Sequence, residues 1–237
     1  MQINMLIPYV FIKLLKRKES KEALIEIFNS ILDYKEKIND LELIDSKIFN
    51  KCLVNEKKRI DTICYFSNGD SKYITIQIVN SILTLDNTLK IFLKNKFKYS
   101  NNSNFKNKFI CITFIKSNFL TGKKFHSIYE LGHKSYNTID EFHFIELNKF
   151  NKSNSELLDI DSISNMDSLT KWLIFLKYNY SYLSIILENY NDNMRNLKTY
   201  SYELKSMSSF KNTYELFEKA MYDEISALEN AEKRRKK

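Results

Sequence analysis

The segment "KKRIDTICYFSNGDSKYITIQIV", residues 57–79, decides the fold. "RIDTICYF" alternates Ile60, Thr62, Cys64 and Phe66 against Asp61, Ile63 and Tyr65, a strand-like period of two that is apolar on both faces past Asp61. "KYITIQIV" (72–79) returns with β-branched residues throughout. Between them "SNGD" (67–70) contains Asn-Gly, the strongest short hairpin signal because both residues tolerate positive φ. Two antiparallel strands around a tight turn are expected. Asp61 lies on the first strand and Gln77 on the second, placed to be near-neighbours across the ladder.

Outward from the hairpin, "MLIPYVFIKLL" reads as a buried first helix. Its positive charges follow the apolar stretch, no small-residue cleavage site comes after it, and it is too short to span a bilayer. Ser20 is placed to cap a helix whose stripe is Leu24, Ile27, Phe28, Ile31 and Leu32. "DLELIDSKIF" suggests an irregular strand, and Ile82 to Phe97 a helix. "FICITFI" (109–115) is a continuous apolar run, as in a central strand covered on both faces, and "FHFIEL" (142–147) is a further strand. After the polar connection 151–168, Asp167 or Ser168 is placed to cap a helix "LTKWLIFLKYNYSYLSIILENY". A last helix from Phe210 carries Phe217, Met221, Ile225 and Leu228 on one side. The pattern predicts an α+β fold, a sheet with helices before and after it. The expected division is a core over 1–150 and a helical C-terminal extension over 151–237.

Composition bounds the function. The chain has 237 residues, 43% hydrophobic and 14% aromatic, enough to fill a core. With 3 Gly and no GxGxxG or GxxxxGK[ST] stretch, a glycine-rich phosphate loop is excluded. Cys52, Cys64 and Cys111 form no CxxC pair, which argues against a structural zinc and suits a reducing cytoplasm. The net charge of +8 favours polyanionic partners such as DNA. A+T-rich coding yields the same lysine excess, so charge by itself adds little.

Hydrolysis of a phosphodiester with Mg²⁺ needs hard oxygen ligands. One layout places an Asp on one strand and an acid on its neighbour. A Lys or Gln two residues beyond the acid then shares its face and can orient water. Asp61, the turn and Gln77 fit that layout. The plainer alternative is an Asp paired with Lys58 or Arg59.

Five segments in order carry a resemblance covering nearly the whole length: "FIKLLKRKESKEALIEIFNSIL", the hairpin itself, "FHSIYEL" with "EFHFIELNKF", "LTKWLIFLK", and "YELFEKAMYDEISALENAEKRRKK". In these the chain resembles the PD-(D/E)XK nuclease family transposases, related to recombination-promoting nucleases. The resemblance implies a restriction-endonuclease-like core and Mg²⁺-dependent DNA hydrolysis as the ancestral reaction. Asp61 would be the metal ligand, with Asp61 and Gln77 at the catalytic positions. It also implies an acid strand of the form hydrophobic-Glu-x-Gln, matched here to Gln77 and Val79. An Asp expected in the opening segment is Pro8, and the family's second-helix Arg has no counterpart between Asn87 and Phe92. A degenerate site follows, with Glu22, Glu26 or Glu42 as candidate replacement acids. The alternative function is a non-catalytic DNA-binding or protein-interaction module on the same scaffold.

Elsewhere, His126, His133 and His143 are spaced 7 and 10 apart and do not suggest a metal cage. Glu146 and Lys149 read as a surface ion pair at a strand end. Trp172, Tyr178, Tyr180 and Tyr182 read as core in preference to base-stacking residues. The "KRRKK" tail reads as a solvated end that can touch phosphate.

Overall fold

The structure is a computed structural model, and it describes residues 2–44, 59–80, 109–117, 120–133, 138–151 and 163–235. Within them lie strands β1 (Ile38–Leu43), β2 (Arg59–Phe66), β3 (Ser71–Val79), β4 (Phe109–Ile115), β5 (His126–His133) and β6 (Thr138–Glu146). They form one sheet in the spatial order β1-β2-β3-β4-β6-β5. β1, β2 and β3 pair antiparallel, β4 runs parallel to both β3 and β6, and β5 is antiparallel to β6. The apolar run of β4 explains its place. Every one of its residues is buried, which only a strand with two neighbours and two covered faces achieves.

The helices are α1 (Pro8–Leu15), α2 (Lys21–Leu32), α3 (Ser168–Lys177), α4 (Tyr182–Tyr190), α5 (Asp192–Ser206) and α6 (Ser208–Arg235), with a 3₁₀ turn at Lys18–Ser20. The result is the helix-flanked α+β sheet that the sequence pattern predicts. One face of the sheet, through Ile60, Ile74, Ile76, Ile112 and Phe114, joins the apolar stripes of α1, α2 and α3 in a single cluster reaching from Ile3 to Met221. Phe11 meets Phe114 edge to face at 5.8 Å there. The opposite face carries a smaller cluster around Tyr73, Phe109, Cys111, Phe142 and Phe144. Asp61 is on this second face.

The N-terminal residues are stitched to the C-terminal helices. Ile3 N–H donates to the Tyr180 hydroxyl at 2.5 Å, Asn4 N–H to the Tyr214 hydroxyl at 3.1 Å, and Asn179 Nδ2 to the Ile3 carbonyl at 2.7 Å. Among the described residues no helix is long and apolar enough to cross a membrane.

Several local expectations are corrected. The helix expected over 169–190 is two helices, because Ser181 accepts from Ser184 N–H and caps a new start at Tyr182. Asp167 caps α3, accepting from Thr170 N–H at 2.8 Å. Ser20 makes no capping bond, since the 3₁₀ turn leads the chain directly into α2 and leaves its hydroxyl buried without a partner. In the hairpin turn Gly69 has φ 86°, whereas Asn68 is not left-handed and instead holds Asp70 through two side-chain bonds. The expected helix over 82–97, most of the 151–168 connection and Cys52 lie outside the described residues.

Candidate functional site

The period of two along β2 and β3 puts Arg59, Asp61, Tyr73, Thr75 and Gln77 on one face of the sheet. The register decides their relations. Asp61 stands directly opposite Thr75, and Gln77 stands opposite Arg59, so Gln77 is a diagonal neighbour of Asp61. Val79 lies one step farther along the same face. All of them are at least nine-tenths buried.

Each oxygen of the Asp61 carboxylate has a partner from its own hairpin. Arg59 Nε donates to Oδ2 at 2.9 Å and the Tyr73 hydroxyl donates to Oδ1 at 2.7 Å. Burial works against the Arg59 charge, but the nearby Asp61 carboxylate and the Tyr73 hydroxyl outweigh it and raise the guanidinium pKa above its ordinary value. Arg59 is thus a fixed cation on the Asp61 carboxylate. Gln77 turns its Nε2 to the Thr113 hydroxyl at 3.0 Å, which sits beside it on β4. The Thr75 hydroxyl is buried and has no hydrogen-bond partner. An uncompensated hydroxyl of this kind costs about 1–3 kcal/mol.

The structure brings Asp61 and Gln77 onto one face and sets two of the three candidate replacement acids, Glu22 and Glu26, on the other. Glu22 and Glu26 lie on α2, which packs on the other face of the sheet. Glu26 is bound there by the side-chain amides of Asn191 and Asn193, at 2.9 and 2.7 Å. Glu42, on β1, shares the Asp61 face as a diagonal neighbour, opposite Ile63, but it is exposed and interacts with the Tyr65 hydroxyl. Among the described residues no group of three or more His, Cys, Asp and Glu side chains is arranged to hold a metal ion. Pro8 opens α1, where its missing N–H is no loss.

Other sequence candidates resolve into structure. Glu146 is not at the surface: it is fully buried, accepts from Leu120 N–H at 3.0 Å, and pairs with Lys149 at 2.6 Å. Its parallel register beside Ile115 tucks it under the loop after β4, which is why an ion pair expected in solvent is enclosed. Trp172 is 1% exposed, whereas Tyr182 is 65% exposed. Cys64 and Cys111 are buried, and burial pushes both thiols up to about 12.

Sequence reasoning named Arg59 only as one possible partner of Asp61 and missed Tyr73, Thr75 and Thr113. The parity of their numbers on β2 and β3 was the available signal for Tyr73 and Thr75. The alignment of Thr113 with Gln77 depends on the parallel β3–β4 pairing, which no local pattern announces.

Compared with known families, the model of the PD-(D/E)XK nuclease family transposases matches residues 5–231. The mixed sheet flanked by helices is consistent with the restriction-endonuclease-like fold of that family. No curated protein and no solved structure matches.

Proposed function

We propose that this chain, which belongs to the PD-(D/E)XK nuclease family transposases, carries the hairpin of a DNA-cutting enzyme in a form that no longer cuts. The register supports reading Ile74-Thr75-Ile76-Gln77 as the hydrophobic-Glu-x-Gln strand, one step earlier than Gln77 and Val79. On that reading the orienting Gln is kept as Gln77, and the acid facing Asp61 is replaced by Thr75. The observation that carries the proposal is the state of Asp61, whose two oxygens are taken by Arg59 and Tyr73.

These residues do not suit Mg²⁺. The ion takes carboxylate, phosphate and water oxygens in strict octahedral geometry. In the hairpin one carboxylate remains, already neutralised by a guanidinium, opposite a neutral hydroxyl. Replacing a carboxylate by a hydroxyl removes about 4 kcal/mol of attraction per unit charge at 4 Å, at an effective dielectric of 20. The ion would also have to displace Arg59 from Asp61. The reading is therefore a retained scaffold with DNA as the inherited partner class.

Plasmid nicking in Mn²⁺ by the full chain and by Asp61→Ala tests the loss of cutting. Equal, background-level nicking supports it, and metal-dependent nicking that Asp61→Ala abolishes overturns it. A salt titration of DNA binding separates a DNA-binding scaffold, whose affinity falls steeply with salt, from a protein-interaction scaffold with no DNA affinity to lose.

A further inference from the structure

We propose that His126 and His143 form a ligand pair for a borderline transition-metal dication, with Zn²⁺ as the type case, on the sheet face away from Asp61. Their distance in sequence hides the pairing. In the β5–β6 ladder His126 stands opposite Ile145 and His143 opposite Ile128, so the two histidines are diagonal neighbours on one face. His126 Nε2 lies 3.1 Å from His143 Nδ1, with the rings inclined at 31°. Two imidazole nitrogens bound to a tetrahedral Zn²⁺ at about 2.0–2.1 Å stand roughly 3.3 Å apart. The pair needs to open by a few tenths of an ångström and each ring to turn by roughly 35°, so that its lone pair leaves the line between the nitrogens and points at the shared ion.

A second, independent feature aims the His143 lone pair. Its other nitrogen, Nε2, is 3.4 Å from Glu141 Oε2, and the same oxygen accepts from the Tyr34 hydroxyl. A carboxylate on Nε2 holds the proton there and leaves Nδ1 as the acceptor facing His126. This carboxylate–histidine relation is the one that orients ligands in metal sites.

Without metal, His126 Nε2–H donates to His143 Nδ1. When the ion enters, that proton moves through water to His126 Nδ1, and both facing lone pairs go to the metal, so no net proton is released. Water fills the remaining positions. Two protein ligands leave positions free, unlike a four-ligand structural zinc site; His143 is 1% exposed, and the ion reaches the pair from the side of half-buried His126. Imidazole ligands favour Zn²⁺, Ni²⁺ and Cu²⁺ over Mg²⁺. The buried thiols, held protonated, are poor competitors.

Calorimetric titration of the full chain with Zn²⁺ at neutral pH tests the site. Saturable binding with one ion per chain is expected. His126→Ala should weaken it at least tenfold with an unchanged far-ultraviolet dichroism spectrum, while His133→Ala leaves it unchanged. On the wild-type chain, Zn²⁺ should shift the imidazole NMR signals of two of the three histidines, a readout that needs no variant. Absence of saturable binding, affinity unchanged in His126→Ala, or imidazole signals that do not move would each overturn the proposal.

Discussion

Arg59 and Asp61, two residues apart on the same face of β2, form a buried ion pair, with Nε 2.9 Å from Oδ2 and side chains 10% and 5% exposed. The pair puts a guanidinium on the carboxylate that would otherwise attract a dication. Tyr73 completes the arrangement from the facing strand. The Tyr73 bond also fastens β3 to β2.

Removing one partner of a buried pair leaves an isolated charge, and this is costly. Arg59→Ala should lower unfolding stability by about 3–5 kcal/mol. The double change Arg59→Met with Asp61→Leu should cost much less, since it leaves no buried charge. Urea unfolding of the three proteins checks this, and equal losses in the single and double variants would refute it.

Returning an acid to the position facing Asp61 should return cation binding. Thr75→Glu brings a second carboxylate directly across from the first, and a dication relieves their repulsion. Mn²⁺ should stabilise the variant by about 1.4 kcal/mol at ten times its Kd, read as a rise in its unfolding temperature. The wild-type chain should show no such gain from Asp61. An equal Mn²⁺ effect in both proteins would count against the register-based assignment.

Much of this site was legible in the sequence, and the limit has a physical cause. The alternation in β2 and β3 and the Asn-Gly turn located the hairpin and its two key strands. What they left open was register, because one slip of two residues keeps every side chain on its face and changes only which one meets Asp61. The four-residue turn with Gly69 alone in the left-handed region settles that register as Asp61 to Thr75. The enclosure of Glu146 and the meeting of His126 with His143 depend on how β4, β5 and β6 pair. Those contacts join residues distant in sequence, so no local periodicity encodes them. The break between α3 and α4 was more accessible, since Ser181 is an ordinary capping residue inside an apolar pattern.

His126 makes stability depend on pH. Its folded pKa, about 4, lies below its ordinary 6.5, so the unfolded chain binds the extra proton first. The stabilising contribution is present above pH 6.5 and is lost as pH falls toward 4. The urea midpoint of the wild-type chain should therefore drop more steeply than that of His126→Gln over this window. Parallel profiles would contradict the assignment.

Trp172 anchors the helical layer to the common core, fully enclosed and edge-to-face with Phe175 at 5.8 Å. Trp172→Ala should cost about 3–5 kcal/mol through lost burial and the cavity left behind. Chemical denaturation measures it. A loss below about 1 kcal/mol would show that α3 is not held through this residue.

The central claim concerns the Asp61 carboxylate, and a crystal of the full chain soaked in Mn²⁺ reports on it most directly through anomalous scattering. The account predicts no Mn²⁺ at coordinating distance from Asp61, with Arg59 and Tyr73 still on its two oxygens. A Mn²⁺ ion bound to Asp61, with Arg59 displaced and a second carboxylate among its ligands, would contradict it.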